Sequence, residues 1–365
     1  KRNTSGQKLT EAVATLWKGT VTFSKLHQSY FKWLTTGVWE RMDDSDLQTH
    51  IVDALKMLEQ EHLPQGIRSF DVNEVLKFLH GEVPKLPPAP EECLLFSNGY
   101  LNYETMEFVE ELSKRHGFIN RIPFPYDPKA ELGKIPEWLA WTQYEDHLNP
   151  ADWKETRILQ GVLRMCLVGA GAELQRYPEI IGPGATGKTT FANLCCALVG
   201  NKNIATTSFE RMNNRFEAAS WIGKKLLLLP DQDGWGGSCA VLKALTGGDY
   251  ITAENKNVKT VREFQFEGMV LVTANQPMQS IDKTTGLKRR RLFLNFDRRF
   301  PSNENRRSMI KYHERTDTYS GDFADHMPGL ITWVLSMTDA DMRRYLMNPE
   351  QNSPRNREFS EKQSR

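Results

Sequence analysis

The sequence predicts a three-layer α/β domain with a mainly parallel sheet, preceded and followed by mostly helical segments. Gly182 to Thr189 read GPGATGKT, between the apolar Glu179-Ile180-Ile181 and the helical Thr190 to Val199. Downstream, short apolar runs alternate with helical patterns, as strands alternate with helices across a parallel sheet. In the flanking regions apolar residues recur mainly at three- and four-residue spacing, the period of a helix packing one face.

The octapeptide fits G-x-x-x-x-G-K-[ST] in the setting that gives the pattern meaning: a strand end, a glycine-rich turn and a helix start. Gly182, Gly184 and Gly187 let the backbone turn until successive N–H groups converge on an anion, and the helix N-terminus adds partial positive charge. Lys188 is placed to neutralise β- and γ-phosphates, the Thr189 hydroxyl to ligate Mg²⁺, and Thr190 to flank them. A nucleoside triphosphate with Mg²⁺ is the expected ligand.

With 47 basic and 46 acidic residues the chain is nearly neutral, so any surface for nucleic acid has to be local. Five cysteines, Cys93, Cys166, Cys195, Cys196 and Cys239, show no CxxC spacing, and two fall in the helix after the loop. Reduced core thiols in a cytoplasmic compartment are expected. The eight histidines are scattered without metal-ligand spacing. Apolar runs such as Leu226 to Leu229 and Met269 to Val272 are strand-length, which argues against a membrane span. No signal peptide is evident. The chain opens on Lys1-Arg2-Asn3-Thr4 without Met, as expected for a piece of a longer protein.

Composition shifts suggest four segments: a helical domain over 1–85, a hairpin and helical connecting region over 91–150, the phosphate-loop domain over 151–300, and a helical C-terminal segment over 301–365 with a loose tail. Within the first, Phe23, Leu26, Tyr30, Phe31 and Leu34 follow helical spacing, Gly37 to Arg41 break it, and Leu47, Ile51, Leu55 and Leu58 resume it. Leu86 to Pro90 form a proline-rich hinge. Asn98-Gly99 between two apolar runs marks a hairpin. Helices are expected over 136–148, 153–168, 188–199 and 238–246. Strands are expected over 224–229, 250–254, 258–266, 269–273 and 291–296, and the chain reads as helical from Asn303.

Hydrolysis of a triphosphate needs an acid for Mg²⁺ and a group to orient or deprotonate water. The run Leu226 to Leu229 ends in Pro230-Asp231-Gln232-Asp233. A buried strand would bring these acids to the same sheet edge as the loop, Asp231 for the metal and Asp233 for water. Met269 to Ala274 lead to Asn275-Gln276-Pro277, and an amide there can donate to a γ-phosphate and accept from water. Asn275 is a candidate sensor, although Asn-x-Pro after a strand also suits a plain turn. Lys288-Arg289-Arg290-Arg291 is the densest basic cluster: either a solvated turn or the source of an arginine for the γ-phosphate, across a subunit interface. Tyr250 to Glu254 and Val258 to Arg262 read as a hairpin whose tip carries Lys256, either an ordinary surface lysine or a grip on a phosphate backbone.

Taken together, the phosphate loop, the acid-ended strand about forty residues on, Leu242-Lys243-Ala244-Leu245-Thr246-Gly247-Gly248-Asp249, the strand ending at Asn275 and the arginine pair resemble the superfamily-3 helicases. More narrowly, the chain is similar to the poxvirus and phage/plasmid primase-helicase group. Ser97 to Leu101, Pro125 to Pro128, Trp138 and Pro328 to Trp333 extend the resemblance beyond the motor. It implies an AAA+-like hexameric ring that hydrolyses ATP and moves along single-stranded or forked DNA. Lys256 and Lys259 would lie in the pore, Asn275 would be the sensor, and Arg290 or Arg291 the finger acting in trans. It also implies a fused or associated primase or polymerase and a bacterial or virus-infected cell. Two positions depart from the group: Thr186 where Asn is usual, and Asp231 behind Pro230 where Glu is usual. The resemblance therefore leaves open which of Asp231 and Asp233 meets the water. The rival readings are a nucleotide-switched DNA-binding initiator or defence ATPase, and a phosphate-loop kinase.

Overall fold

The computed structural model describes residues 6–63, 65–232, 236–254, 261–278, 285–301, 308–353, 355 and 357. Asp233, Lys256 and Lys259 lie outside the described residues. The chain forms two compact units, Lys1–Cys93 with Glu110–Ile119, and Leu94–Val109 with Asn120–Arg365.

The first unit contains α1 (Gly6–Trp17), β1 (Val21–Ser24), β2 (Ser29–Trp33), β3 (Trp39–Arg41), α2 (Asp44–His62) and α3 (Ser69–Glu82). Asp43 starts α2 by accepting a 2.7 Å hydrogen bond from the Asp46 amide, satisfying one of the helix's orphan N–H groups. Val13, Ile51, Leu55, Val75 and Leu79 are fully buried where the three helices meet. The helical spacing expected from Phe23 to Leu34 is not realised: β1, β2 and β3 form an antiparallel sheet with Phe23 opposite Tyr30. β-Branched and aromatic residues at Val21, Thr22, Phe23, Tyr30, Phe31 and Trp33 favour the pleated surface. Leu26, which completed the helical stripe, is 65% exposed in the turn.

β4 (Cys93–Leu95), β5 (Tyr100–Asn102) and β6 (Phe108–Val109) make a small sheet that belongs to the second unit from Leu94 on. The Phe96 amide donates to the Gly99 carbonyl at 2.7 Å, closing the expected Asn98-Gly99 turn. Next come α4 (Ile135–Thr142), α5 (Glu155–Val168) and α6 (Gly171–Leu174). The buried Glu145 carboxylate caps α5, accepting from the amides of Lys154 at 2.7 Å, Glu155 at 2.9 Å and Thr156 at 2.8 Å. That satisfies three N-terminal donors with one side chain.

The remaining elements are β7 (Tyr177–Ile181), α7 (Lys188–Val199), β8 (Ile204–Thr206), α8 (Arg215–Ala218), β9 (Leu226–Leu229), α9 (Ala240–Gly247), β10 (Ile251–Glu254), β11 (Val261–Phe264), β12 (Met269–Ala274) and α10 (Thr285–Arg290). β13 (Arg291–Asn295), β14 (Lys311–His313), β15 (Thr318–Ser320), α11 (Met327–Leu335), α12 (Asp339–Met347) and α13 (Pro349–Asn352) complete the chain. β8 and the β14–β15 hairpin were not anticipated. The hairpin lies where a helical pattern was expected, with Tyr312 opposite Tyr319 across an antiparallel pair.

Five strands form one parallel sheet in the order β13-β7-β12-β9-β8. Successive residues of β12 divide between its faces: Met269 and Leu271 join one hydrophobic cluster with residues of α5, α7 and α11. Val270 and Val272 join another with residues of α9 and β10. A two-residue side-chain period between two apolar layers is why the strands read as continuous apolar runs. β10 and β11 form a separate antiparallel pair.

Candidate nucleotide site at the phosphate loop

β7 ends at Ile181 and the chain turns through 182–187 into α7. Gly182 is required by close approach, since a Cβ there would stand 1.7 Å from the Phe296 carbonyl oxygen. Gly187 has φ +96°, a left-handed conformation that disfavours side chains, and a Cβ would meet Trp138 Cζ2 at 3.0 Å. Gly184 faces open space. Thr186 is buried and its hydroxyl donates to the Pro183 carbonyl at 2.9 Å, so at this departure from the family pattern the side chain braces the loop.

Lys188 is 93% buried. Its ammonium donates to the Gly182 carbonyl, to the Pro183 carbonyl at 2.8 Å and to Asn275 Oδ1 at 3.1 Å. Sheet register brings the asparagine there: Ala274 pairs with Ile181, and the Gly182 amide donates to the Ala274 carbonyl at 3.3 Å. Thr189 is exposed and Thr190 half-buried.

On the far side of β12, β9 stops at Leu229, which pairs with Val272. The Asp231 amide donates to Thr273 Oγ1 at 3.1 Å, and the Gln232 amide to the Thr273 carbonyl at 2.8 Å. Asp231 is exposed at φ +50°, at the same sheet edge as the loop and two strand spacings away, about 10 Å. Gln232, which the sequence did not single out, fixes this turn. Its Oε1 accepts from the Phe209 amide at 2.7 Å and its Nε2 donates to the Pro230 carbonyl at 2.6 Å. Among the described residues no three His, Cys, Asp or Glu side chains gather into a metal site. The Thr189 hydroxyl and the Asp231 carboxylate are the groups that could share a hard cation with phosphate oxygens.

The two arginines have different surroundings. Arg291 opens β13 opposite Tyr177, four residues before the end of β7, or about 13 Å. Both arginines thus start from the sheet edge opposite their own chain's loop. Arg291 is paired: Nε donates to Glu179 Oε2 at 2.8 Å, and Nη2 stands 2.7 Å from the same oxygen as an ion pair. The other Glu179 oxygen accepts from the Met278 amide at 2.8 Å. Glu179 is fully buried, and burial pushes its carboxyl above the usual range, with Arg291 opposing the shift. The sequence hid this glutamate because it sits inside the apolar start of β7. Arg290 is half-buried beside Gly247, whose Cβ would stand 3.1 Å from Arg290 Nη2. The same glycine closes α9, where Gly248 at φ +73° provides the left-handed cap and the Asp249 amide donates to the Ala244 carbonyl at 3.1 Å. The LTGGD stretch therefore turns the chain from α9 into β10.

β10 and β11 pair from Ile251 opposite Phe264 to Glu254 opposite Val261. The expected hairpin is present, with its lysine-bearing tip outside the described residues.

Residues 13–144 match the family described as D5 N terminal like, and residues 180–291 match a family of unknown function, DUF5906. Both are domains of phage and viral primase-helicase proteins, so the resemblance to the superfamily-3 helicases holds on both sides of the phosphate loop. Over 132 residues the chain is 28% identical to an uncharacterized mitochondrial protein, ymf20, of Marchantia polymorpha, covering 35% of this chain and 74% of that one. An A-form apo structure of the NrS-1 C-terminal region superposes with a TM-score of 0.56 at 13% identity, covering 94% of this chain and 74% of that one. Another apo structure of this region gives 0.51 at 14% identity, covering 96% and 76%. These likenesses concern the fold, a mixed α/β architecture around a parallel sheet. No described helix is long and apolar enough to cross a membrane.

Proposed function

We propose that the chain is the ATP-driven motor of a superfamily-3 DNA helicase, a hexameric ring that translocates on single-stranded DNA within a phage, plasmid or viral replication system. The observation that carries this reading is the meeting of Lys188 with Asn275 at the C-terminal edge of a parallel sheet, 3.1 Å apart. A lysine held inside a glycine-rich loop supplies charge for β- and γ-phosphates, and an amide beside it can orient the attacking water. Mg²⁺ would be shared by the Thr189 hydroxyl, Asp231 and the phosphates, with Asp233 as the water-activating carboxylate. Arg291 opens β13 at the end of the sheet away from the loop, with Arg290 just before it, and that placement favours a finger that serves a neighbouring subunit. The families matched at 13–144 and 180–291 support the coarser class, a primase-helicase-type replication protein. A fused or associated primase or polymerase fits the same class.

The test is displacement of a labelled strand from a forked duplex with ATP and Mg²⁺. Displacement that stops in Lys188→Ala supports the motor. ATP-dependent DNA binding without displacement favours a nucleotide-switched initiator or defence ATPase. Phosphate transfer to a small molecule without DNA favours a kinase.

A further inference from the structure

A row of aromatic faces begins at the phosphate loop. Trp138 of α4 and Phe300, in the segment after β13, both converge on Gly187: a Cβ there would stand 3.0 Å from Trp138 Cζ2 and 3.2 Å from Phe300 Cε2. The two rings are near-parallel, 12° apart with centroids 6.2 Å distant. The Phe300 amide donates to the Ala185 carbonyl at 2.9 Å, tying this ring to the loop backbone. Trp141 packs on Phe300 at 4.1 Å. The Arg298 guanidinium follows, 4.2 Å from the Trp141 ring and 5.0 Å from Tyr144.

Charged groups along this row are paired with one another. Arg298 donates to Asp146 at 2.6 Å and to the Trp141 carbonyl at 2.9 Å. Arg355 is paired with Asp297, and its guanidinium lies 4.8 Å from the Tyr144 ring. The rings lie against one another and against these guanidinium groups, and each keeps part of its surface open. Trp138, Trp141 and Phe300 are only half-buried, and Tyr144 is 46% exposed. Half-covered rings beside an anion-binding loop suit a ligand with an anionic end and a flat apolar end.

We infer that this row seats the base of the bound nucleotide: a purine packs against the open part of the Trp138–Phe300–Trp141 row while the triphosphate occupies the loop. The inference rests on the phosphate-loop reading above and adds a specificity to it. Aromatic packing depends on ring area, whereas choosing adenine over guanine needs hydrogen bonds to the base edge. The site accordingly takes ATP and GTP alike, and both ahead of CTP or UTP.

The experiment is calorimetric titration of the full chain with ATP, GTP, CTP and inorganic tripolyphosphate, each with Mg²⁺, for the wild type, Phe300→Leu, Trp141→Leu and Lys188→Ala. The expected wild type binds ATP and GTP within a few-fold of each other and about ten-fold more tightly than tripolyphosphate. Phe300→Leu, which keeps apolar bulk, should lose most of that advantage while binding tripolyphosphate as before, and Phe300→Tyr should restore it. Equal wild-type affinity for ATP and tripolyphosphate overturns the base seat and leaves the phosphate-loop reading standing. Unchanged ATP-to-tripolyphosphate ratios in both leucine variants do the same. A wild type that binds no triphosphate overturns both readings, and tripolyphosphate binding indifferent to Lys188→Ala counts against the phosphate-loop reading alone.

Discussion

The ammonium of Lys188 stands 3.1 Å from the amide oxygen of Asn275, although 87 positions separate them in the chain. Parallel pairing of β7 with β12 makes this a consequence of register, because each residue follows directly on the last residues of its strand or loop. In the proposed motor the lysine binds phosphate and the amide orients the water. Asn275→Ala should therefore bind nucleotide close to normally while hydrolysis falls about 100-fold, by analogy with loss of a preorganised transition-state donor. Fluorescent-nucleotide titration and steady-state phosphate release check the two halves. Parallel losses in both would place Asn275 in binding.

If one of the two arginines acts across a subunit interface, it should be Arg290, since Arg291 is held by Glu179. Arg290→Ala should retain nucleotide binding and lose turnover. Mixed with Lys188→Ala, it should regain part of the activity, because some interfaces then join an intact loop to an intact arginine. Mixtures no more active than the separate variants would remove the trans assignment.

The Glu179–Arg291 pair is buried, so deleting one partner strands a charge. Each single alanine variant should lose about 3–5 kcal/mol of stability, and the double variant should lose less than their sum. Arg291 opposes the effect of burial on the Glu179 carboxyl, so in Arg291→Ala that carboxyl rises further. A raised carboxyl binds its proton more tightly in the native state. This favours folding below the folded pKa and is lost as pH rises through it. Urea unfolding of Arg291→Ala should accordingly show recovery in mildly acid buffer. Wild-type stability at neutral pH would contradict the pairing.

If six hairpins each place one or two of Lys256 and Lys259 on phosphates, about 6 to 12 contacts form. Log K for single strands should then fall with log[salt] at a slope of about −4 to −8. Replacing both lysines with alanine should flatten that slope. A wild-type slope near zero would remove the hairpin from DNA binding.

The parallel domain was legible because its strands are buried on both faces and its glycines mark a turn that few other sequences make. β12 and α7 read almost to the residue, and Lys188 with Asn275 followed from where their strands end. The antiparallel β1–β3 sheet was masked by a coincidence of spacing, because Phe23, Tyr30 and Phe31 satisfy a helical period as well as a pleat. The β14–β15 strands have three residues each, too short for a period to emerge. Glu179 looked like part of an apolar run because its partner, Arg291, is 112 positions away. The aromatic row at Gly187 joins segments before and after the sheet, a proximity that no local pattern encodes.

The central claim is that the phosphate loop drives work on DNA. Its most direct test is ATP hydrolysis at low salt, with and without single-stranded DNA, by the wild type and Lys188→Ala. The account predicts several-fold stimulation by DNA and loss of both basal and stimulated rates in the variant. Hydrolysis indifferent to DNA in assembled rings, or undiminished in Lys188→Ala, would contradict it.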